Sequence, residues 1–277
     1  MTYFGFLLRF LVLPILVFLI IALRDQRQGK ENRGFHLGRF VWAAIGLHIL
    51  IALVYTTPWD NYLVATGVWY YNPEGVSGIV FGWGPLEEYL FFVLEPLLTG
   101  LWWWFLARRV GDSGKLTPDR RIRFGLTAIF AAVWILALTQ MIFGPESFNY
   151  LTLILVWVLP AFILQIAYGA DILWHHRRLA ALTILPMSLY LSAADALAIT
   201  RGIWTIDPAQ TLGIMMGGAL PLEEALFFFS TVVLIGTGLT LSLSKESQMR
   251  WKSLRESLMN LARDLRIKNK PTEDQGL

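Results

Sequence analysis

The sequence predicts an all-α integral membrane protein of about seven transmembrane helices, arranged as two parallel three-helix repeats joined by one linking helix. Three observations predict it. Hydrophobic residues make up 56% of the 277 positions and charged residues only 16%, well short of the quarter usual in a soluble domain. The apolar residues gather into seven segments, roughly 3–23, 38–57, 76–107, 122–143, 150–173, 180–198 and 211–243. Each is long enough for a crossing, since about 20 residues at 1.5 Å per residue span a hydrocarbon layer of roughly 30 Å. Finally, the third and seventh segments carry the same motif in the same context.

The first segment, Tyr3–Leu23, has only the embedded Arg9 as an early basic residue and is followed by no small-residue cleavage site. It reads as a retained first helix and not as a signal peptide. The connections after the first, third and fifth segments hold Arg24, Arg27, Lys30, Arg33 and Arg39, then Arg108, Arg109, Lys115, Arg120, Arg121 and Arg123, then Arg177 and Arg178. The tail adds eight more basic residues, and the opposite connections hold only Arg201. By the positive-inside rule this places the N-terminus outside and the C-terminus in the cytoplasm, in a multi-pass protein of the cell (inner) membrane. The pI near 9.2 therefore reflects topology, and no nucleic-acid partner is expected.

The third and seventh segments are too long for simple spans, at about 48 Å as straight helix. Gly82-Trp83-Gly84-Pro85 and Gly217-Gly218-Ala219-Leu220-Pro221 break them, and the outer portion of each is expected to form a re-entrant or lid segment. After Ser244, Trp251, Leu254, Leu258, Leu261 and Leu265 recur at helical spacing among basic residues, which suits a helix lying on an anionic leaflet or a frayed basic tail. Residues Asn269–Leu277 read as disordered.

Asp60 to Gly100 aligns with Asp195 to Gly236. Trp69, Pro73 and Pro85-Leu86-Glu87-Glu88 in the first correspond to Trp204, Pro208 and Pro221-Leu222-Glu223-Glu224 in the second. The Asp-to-Trp and Trp-to-Pro gaps are nine and four residues in both, with one residue inserted before the second acidic motif. The expected units are residues 1–107, a linking region 108–149, a second repeat 150–243 and a tail 244–277. With one helix between them, both repeats cross in the same direction, and a site is expected where they meet.

The acids cluster in depth. Glu87 lies 21 residues from Arg108, Glu223 lies 22 from Lys245, Asp60 lies 21 from Arg39 and Asp195 lies 17 from Arg178. All four then sit toward one edge of the hydrocarbon layer. Carboxyl groups there favour the neutral form and become proton donors, the more so in pairs. The alternative is structural: a proline followed by acids is also a common helix start. Glu95 shares a helical face with Glu88, and its counterpart in the second repeat is Thr231. Arg201 either pairs with an acid or anchors at a headgroup. Trp83, Tyr89, Phe91 and Phe92 in one repeat and Phe227, Phe228 and Phe229 in the other surround the acids, where ring faces can shield a cation.

Absences exclude other chemistry. There are no cysteines, so thiol nucleophiles and thiolate metal sites are out. No Gly-x-Gly-x-x-Gly, Asp-Asp-x-x-Asp or His-x-x-x-His occurs, and every lysine falls in a loop or the tail. No metal and no cofactor are expected. His48 reads as packing and His175-His176 as interfacial.

The paired Pro85–Glu88 and Pro221–Glu224 motifs, each opening an aromatic-rich helix in a duplicated three-helix unit, resemble the membrane-embedded carotenoid cyclases of the heteromeric lycopene cyclase type, here with both halves fused in one chain. The resemblance covers nearly the whole chain apart from the tail. It implies acid–base cyclisation of a linear carotene end group, with no net redox change and no flavin. Glu87, Glu88, Glu223 and Glu224 are then the catalytic candidates, with Asp60, Asp195, Glu95 and Arg201 in support. Trp83, Tyr89, Phe92, Phe227 and Phe228 are candidates for substrate contact. The implied partners are lycopene or a related carotene, membrane lipid, and other carotenoid-pathway enzymes. A small-solute transporter of parallel repeats with broken helices is the competing reading, and a scaffold without chemistry is a third.

Overall fold

The computed structural model describes residues 1–29, 35, 38–110, 114 and 116–268. The expectation for Asn269–Leu277 and three of the connecting basic residues, Lys30, Arg33 and Lys115, lie outside them. Among the described residues, seven helices are long and apolar enough to cross a membrane, as the composition predicts.

The first span, Tyr3–Arg27, comprises α1 (Tyr3–Leu7), a π-helical turn (Leu8–Val12) and α2 (Leu13–Arg27). Pro14 cannot donate to the ladder, and the widened turn lies just before it. The second span, α3 (Arg39–Ala65), runs eight residues past the expected end and carries Asp60 on the helix. A strand β1 (Trp69–Tyr71) follows, then a hairpin of β2 (Val80–Phe81) and β3 (Gly84–Pro85), and then α4 (Leu86–Ala107). Helix α5 (Arg120–Phe143), capped by the Asp119 side chain, leads to α6 (Asn149–His175), which kinks at Gly169. Helix α7 (Arg177–Thr200), β4 (Trp204–Ile206), β5 (Met215–Met216), β6 (Leu220–Pro221), α8 (Leu222–Leu243) and α9 (Lys245–Lys268) complete the chain.

The broken ends of the long segments, expected as re-entrant or lid segments, form antiparallel hairpins. Val80 pairs with Pro85 and Phe81 with Gly84, while Met215 pairs with Pro221 and Met216 with Leu220. The reversals need positive φ, supplied by Gly82 (62°) in the first and by Gly217 (58°) and Gly218 (76°) in the second. Strands β1 and β4 pair with each other, Tyr70 opposite Thr205, which joins the loop after the second span to the loop after the sixth.

Helices α4 and α8 form the centre. Of their apolar stretches 67% is buried, whereas α5 buries 6% and packs along α6. Around the central pair the contacts match: α2 packs on α4 as α6 packs on α8, and α3 on α4 as α7 on α8, with α3 also reaching α8 and α7 reaching α4. Close approach depends on matched glycines. A Cβ at Gly100 would lie 2.9 Å from Ile45 Cγ1, and one at Gly236 3.1 Å from Thr183 Cγ2, the small-residue packing typical of membrane helices. Trp103 Nε1 donates to Thr240 Oγ1 at 2.9 Å across the α4–α8 contact.

Candidate active site

Both Pro-Leu-Glu-Glu motifs open a helix directly from a strand, so the acids occupy the first turns of α4 and α8. Within each pair the two glutamates part. Glu87 accepts from Ser77 N at 2.6 Å and Ser77 Oγ at 3.2 Å, and Glu223 accepts from Leu212 N at 2.7 Å. Each therefore holds the loop leading into its hairpin. Glu88 and Glu224 face inward. Glu88 Oε2 accepts from the Tyr3 hydroxyl at 2.5 Å and Glu224 Oε1 from the Tyr150 hydroxyl at 2.7 Å. The two tyrosines stand at matched places, near the start of the first helix of each repeat.

Glu88, Glu224 and Asp195 line one cavity of about 30 Å³, walled by rings that include Tyr71, Phe91, Trp204, Phe227 and Phe228. Asp195 Oδ1 accepts from Trp204 Nε1 at 2.8 Å, and its Oδ2 has no hydrogen-bond partner among the described residues. Tyr3 packs on Trp204 with ring centroids 4.9 Å apart. Burial raises the Tyr71 hydroxyl well above the usual tyrosine range, so it stays neutral. Beside the ring faces, the carboxyl groups are the cavity groups best suited to exchange a proton.

The remaining candidates divide. Asp60 is fully buried outside the cavity wall, with both oxygens unpartnered among the described residues, against the Gly84 backbone. Glu95 is buried, accepts from Thr99 Oγ1 at 2.9 Å, and lines a second cavity with Phe92 and Thr231. Trp83 is 64% exposed, since the hairpin tip carries it away from the acids. Tyr89 accepts from Asn61 Nδ2 at 3.0 Å and donates to Phe81 O, bracing the hairpin outside either cavity. Arg201 is exposed at the end of α7 and belongs to none of the ion pairs among the described residues. No sequence motif singled out Tyr3 or Tyr150, and Trp204 entered only as the repeat counterpart of Trp69. The matched starts of the two first helices were the available signal for Tyr3 and Tyr150.

At the other end of α6, His175, His176 and Glu246 bring ligand atoms within 4.8 Å of one another. His176 Nε2 lies 3.2 Å from Glu246 Oε2, and the group ties the α6–α7 turn to α9, far from the acids.

Residues 32–106 and 147–240 match the family described as lycopene cyclase. The chain belongs to the lycopene cyclase family. It is 41% identical over 199 residues to the lycopene beta-cyclase of Halobacterium salinarum, covering 72% of this chain and 81% of that protein. It is 32% identical over 213 residues to the bifunctional lycopene cyclase/phytoene synthase of Podospora anserina, covering 74% of this chain and 35% of that protein. No solved structure matches. The cyclase expectation holds, and a transporter draws no support from these relatives. In this member of the family the matched segments include all four motif glutamates and leave out Tyr3.

Proposed function

We propose that this chain closes the linear end groups of lycopene into β-type six-membered rings, with Glu88 and Glu224 as the proton donor and acceptor. The observation that carries the reading is the pair of tyrosine-bound glutamates lining one aromatic-walled cavity with Asp195. One glutamate adds its proton to the terminal double bond of the end group. The cation is attacked by the neighbouring double bond, closing the ring, and the other glutamate removes a proton. One proton enters and one leaves, so the product is an isomer and no redox partner is required. Three carboxyl groups around so small a cavity do not all carry charge, and Asp195 is placed to share their proton. The faces of Trp204 and Phe228 shield the cation, and the tight cavity excludes water that would trap it. Glu87 and Glu223 serve as positioning residues for the hairpins. The β ring is supported by the name of the Halobacterium salinarum relative.

The matched helix contacts support a duplication spanning residues 1–107 and 150–243, with both halves of the cyclase fused in one chain. The basic connections support a cell-membrane protein with its N-terminus outside, and α9 lying on the inner leaflet through exposed Trp251, Leu254 and Leu258. The Podospora anserina relative, which by name joins cyclase to phytoene synthase, supports other carotenoid-pathway enzymes as partners.

The test is pigment chromatography of lycopene-accumulating bacteria expressing the chain. Conversion to monocyclic and bicyclic carotenes is expected, and loss of conversion in Glu88→Gln and Glu224→Gln variants still present in the membrane. Cyclisation retained in both variants would overturn the assignment.

A further inference from the structure

Glu224, Phe227, Thr231, Leu234, Gly238 and Ser242 form one stripe of α8, at spacings of three and four residues. Three cavities follow that stripe. The acid cavity is bounded by Glu224 and Phe227, a second of about 120 Å³ by Phe227, Thr231 and Leu234, and a third of about 890 Å³ by Gly238 and Ser242. Neighbouring cavities share walls. Phe91 and Phe227 border the first and second, and His48, Ile51 and Gln165 border the second and third. From Glu224 to Ser242 the stripe is about 27 Å long at 1.5 Å per residue, close to the full hydrocarbon thickness. The third cavity opens beside exposed Leu47 and Leu164, on the lipid-facing side.

We propose that this crevice between α3, α6 and α8 holds the polyene chain of the carotene while one end group sits among the acids, with Phe91 and Phe227 as the collar between them. The proposal rests on the cyclase reading above and adds where the rest of the substrate lies. Continuity of the walls joins the crevice to the acid cavity. Its chemistry suits a hydrocarbon, because its walls are mostly apolar and four of its polar side chains are turned onto the protein. His48 Nδ1 lies 2.8 Å from Ala44 O, Tyr55 donates to Trp157 O at 2.7 Å, and Gln165 Nε2 donates to Leu234 O at 3.0 Å. Glu95 is engaged by Thr99 in the same way. Entry of an end group into the acid cavity requires the collar rings to turn.

A linear carotene is a rigid conjugated rod with an end group at each tip. With one tip at Glu88, the other lies toward α9, so each binding event closes one ring. A second ring requires release and re-entry from the opposite end.

The experiment uses the full chain in liposomes with two probes: lycopene, and a truncated polyene that keeps one intact lycopene end group and stops short of Ile51. Ser242→Trp and Leu47→Trp fill the far part of the crevice from exposed positions. Both are expected to raise the KM for lycopene at least tenfold more than the KM for the truncated polyene. An equal change for the two substrates, or none for either, would overturn the proposal. Binding is read separately, by the induced circular dichroism of lycopene bound to Glu88→Gln protein. Loss of that signal on adding Ser242→Trp is expected, and its persistence would also overturn the crevice. Cyclisation by Glu88→Gln would instead count against the acid assignment alone.

Discussion

The Tyr3 hydroxyl donates to Glu88 Oε2 at 2.5 Å, tying the first residue of the first span to the first turn of the third across 85 positions of chain. Tyr150 does the same for Glu224 across 74 positions. Each bond engages a buried carboxyl group that lines the acid cavity. A hydrogen bond to such a group contributes about 1–3 kcal/mol, and each 1.4 kcal/mol is about tenfold in rate. Tyr3→Phe and Tyr150→Phe are therefore expected to lower cyclisation about tenfold or more while leaving the protein in the membrane, measured as carotene conversion per unit of protein.

The outer glutamates should behave differently from the inner ones. Glu87→Gln weakens the bonds to Ser77 N and Oγ, and Glu223→Gln the bond to Leu212 N. Each is expected to destabilise its hairpin by about 1–3 kcal/mol and to keep most of the turnover of the folded enzyme. Thermal unfolding in detergent and carotene conversion, measured on the same preparations, separate the two effects.

Helix α9 is held at its start by Arg250, which donates to Asp171 Oδ1 at 2.8 Å and Oδ2 at 2.6 Å and to Tyr168 O at 2.7 Å. The pair is bidentate and mostly buried, so it is stronger than an exposed ion pair. Arg250→Ala is expected to free α9 without stopping cyclisation. Faster tryptic cleavage at Lys252 and Arg255 would report the release.

Gly100 and Gly236 permit close, matched helix approaches around the central pair. Gly100→Val presses on Ile45 and Gly236→Val on Thr183, a kind of overpacking that costs about 1–3 kcal/mol. Both variants are expected to lower the unfolding temperature, and Gly125→Val, at a position with open space around it, is not.

Much of the molecule was legible because membrane helices announce themselves locally. The seven spans follow from apolar runs, and the acidic motifs from their repetition in matched context. The depth of the acids followed from counting residues, and they do gather at one end of the bundle. What failed to read through was side-chain direction at the helix starts. Glu87 and Glu88 are adjacent in sequence, yet about 100° of helical rotation separates neighbours, so one meets the loop and the other the cavity. Trp83 looked like a site residue by proximity, but a two-residue hairpin reversal carried it outward. Tyr3 lies far from Glu88 in sequence and carries no motif, and only the packing of α1 against α4 brings them together.

The sequence by itself determined the class of protein, the number of its crossings, the duplication as an expectation, and the kinds of side chain that could move a proton, because each depends on local composition and short spacing. The tertiary structure decided which acids share a cavity, which tyrosines serve them, and that three cavities run down one face of α8. Those facts depend on how α1, α3, α6 and α8 are brought together by contacts between distant residues, and helical periodicity within one segment carries no record of which neighbour its face will meet.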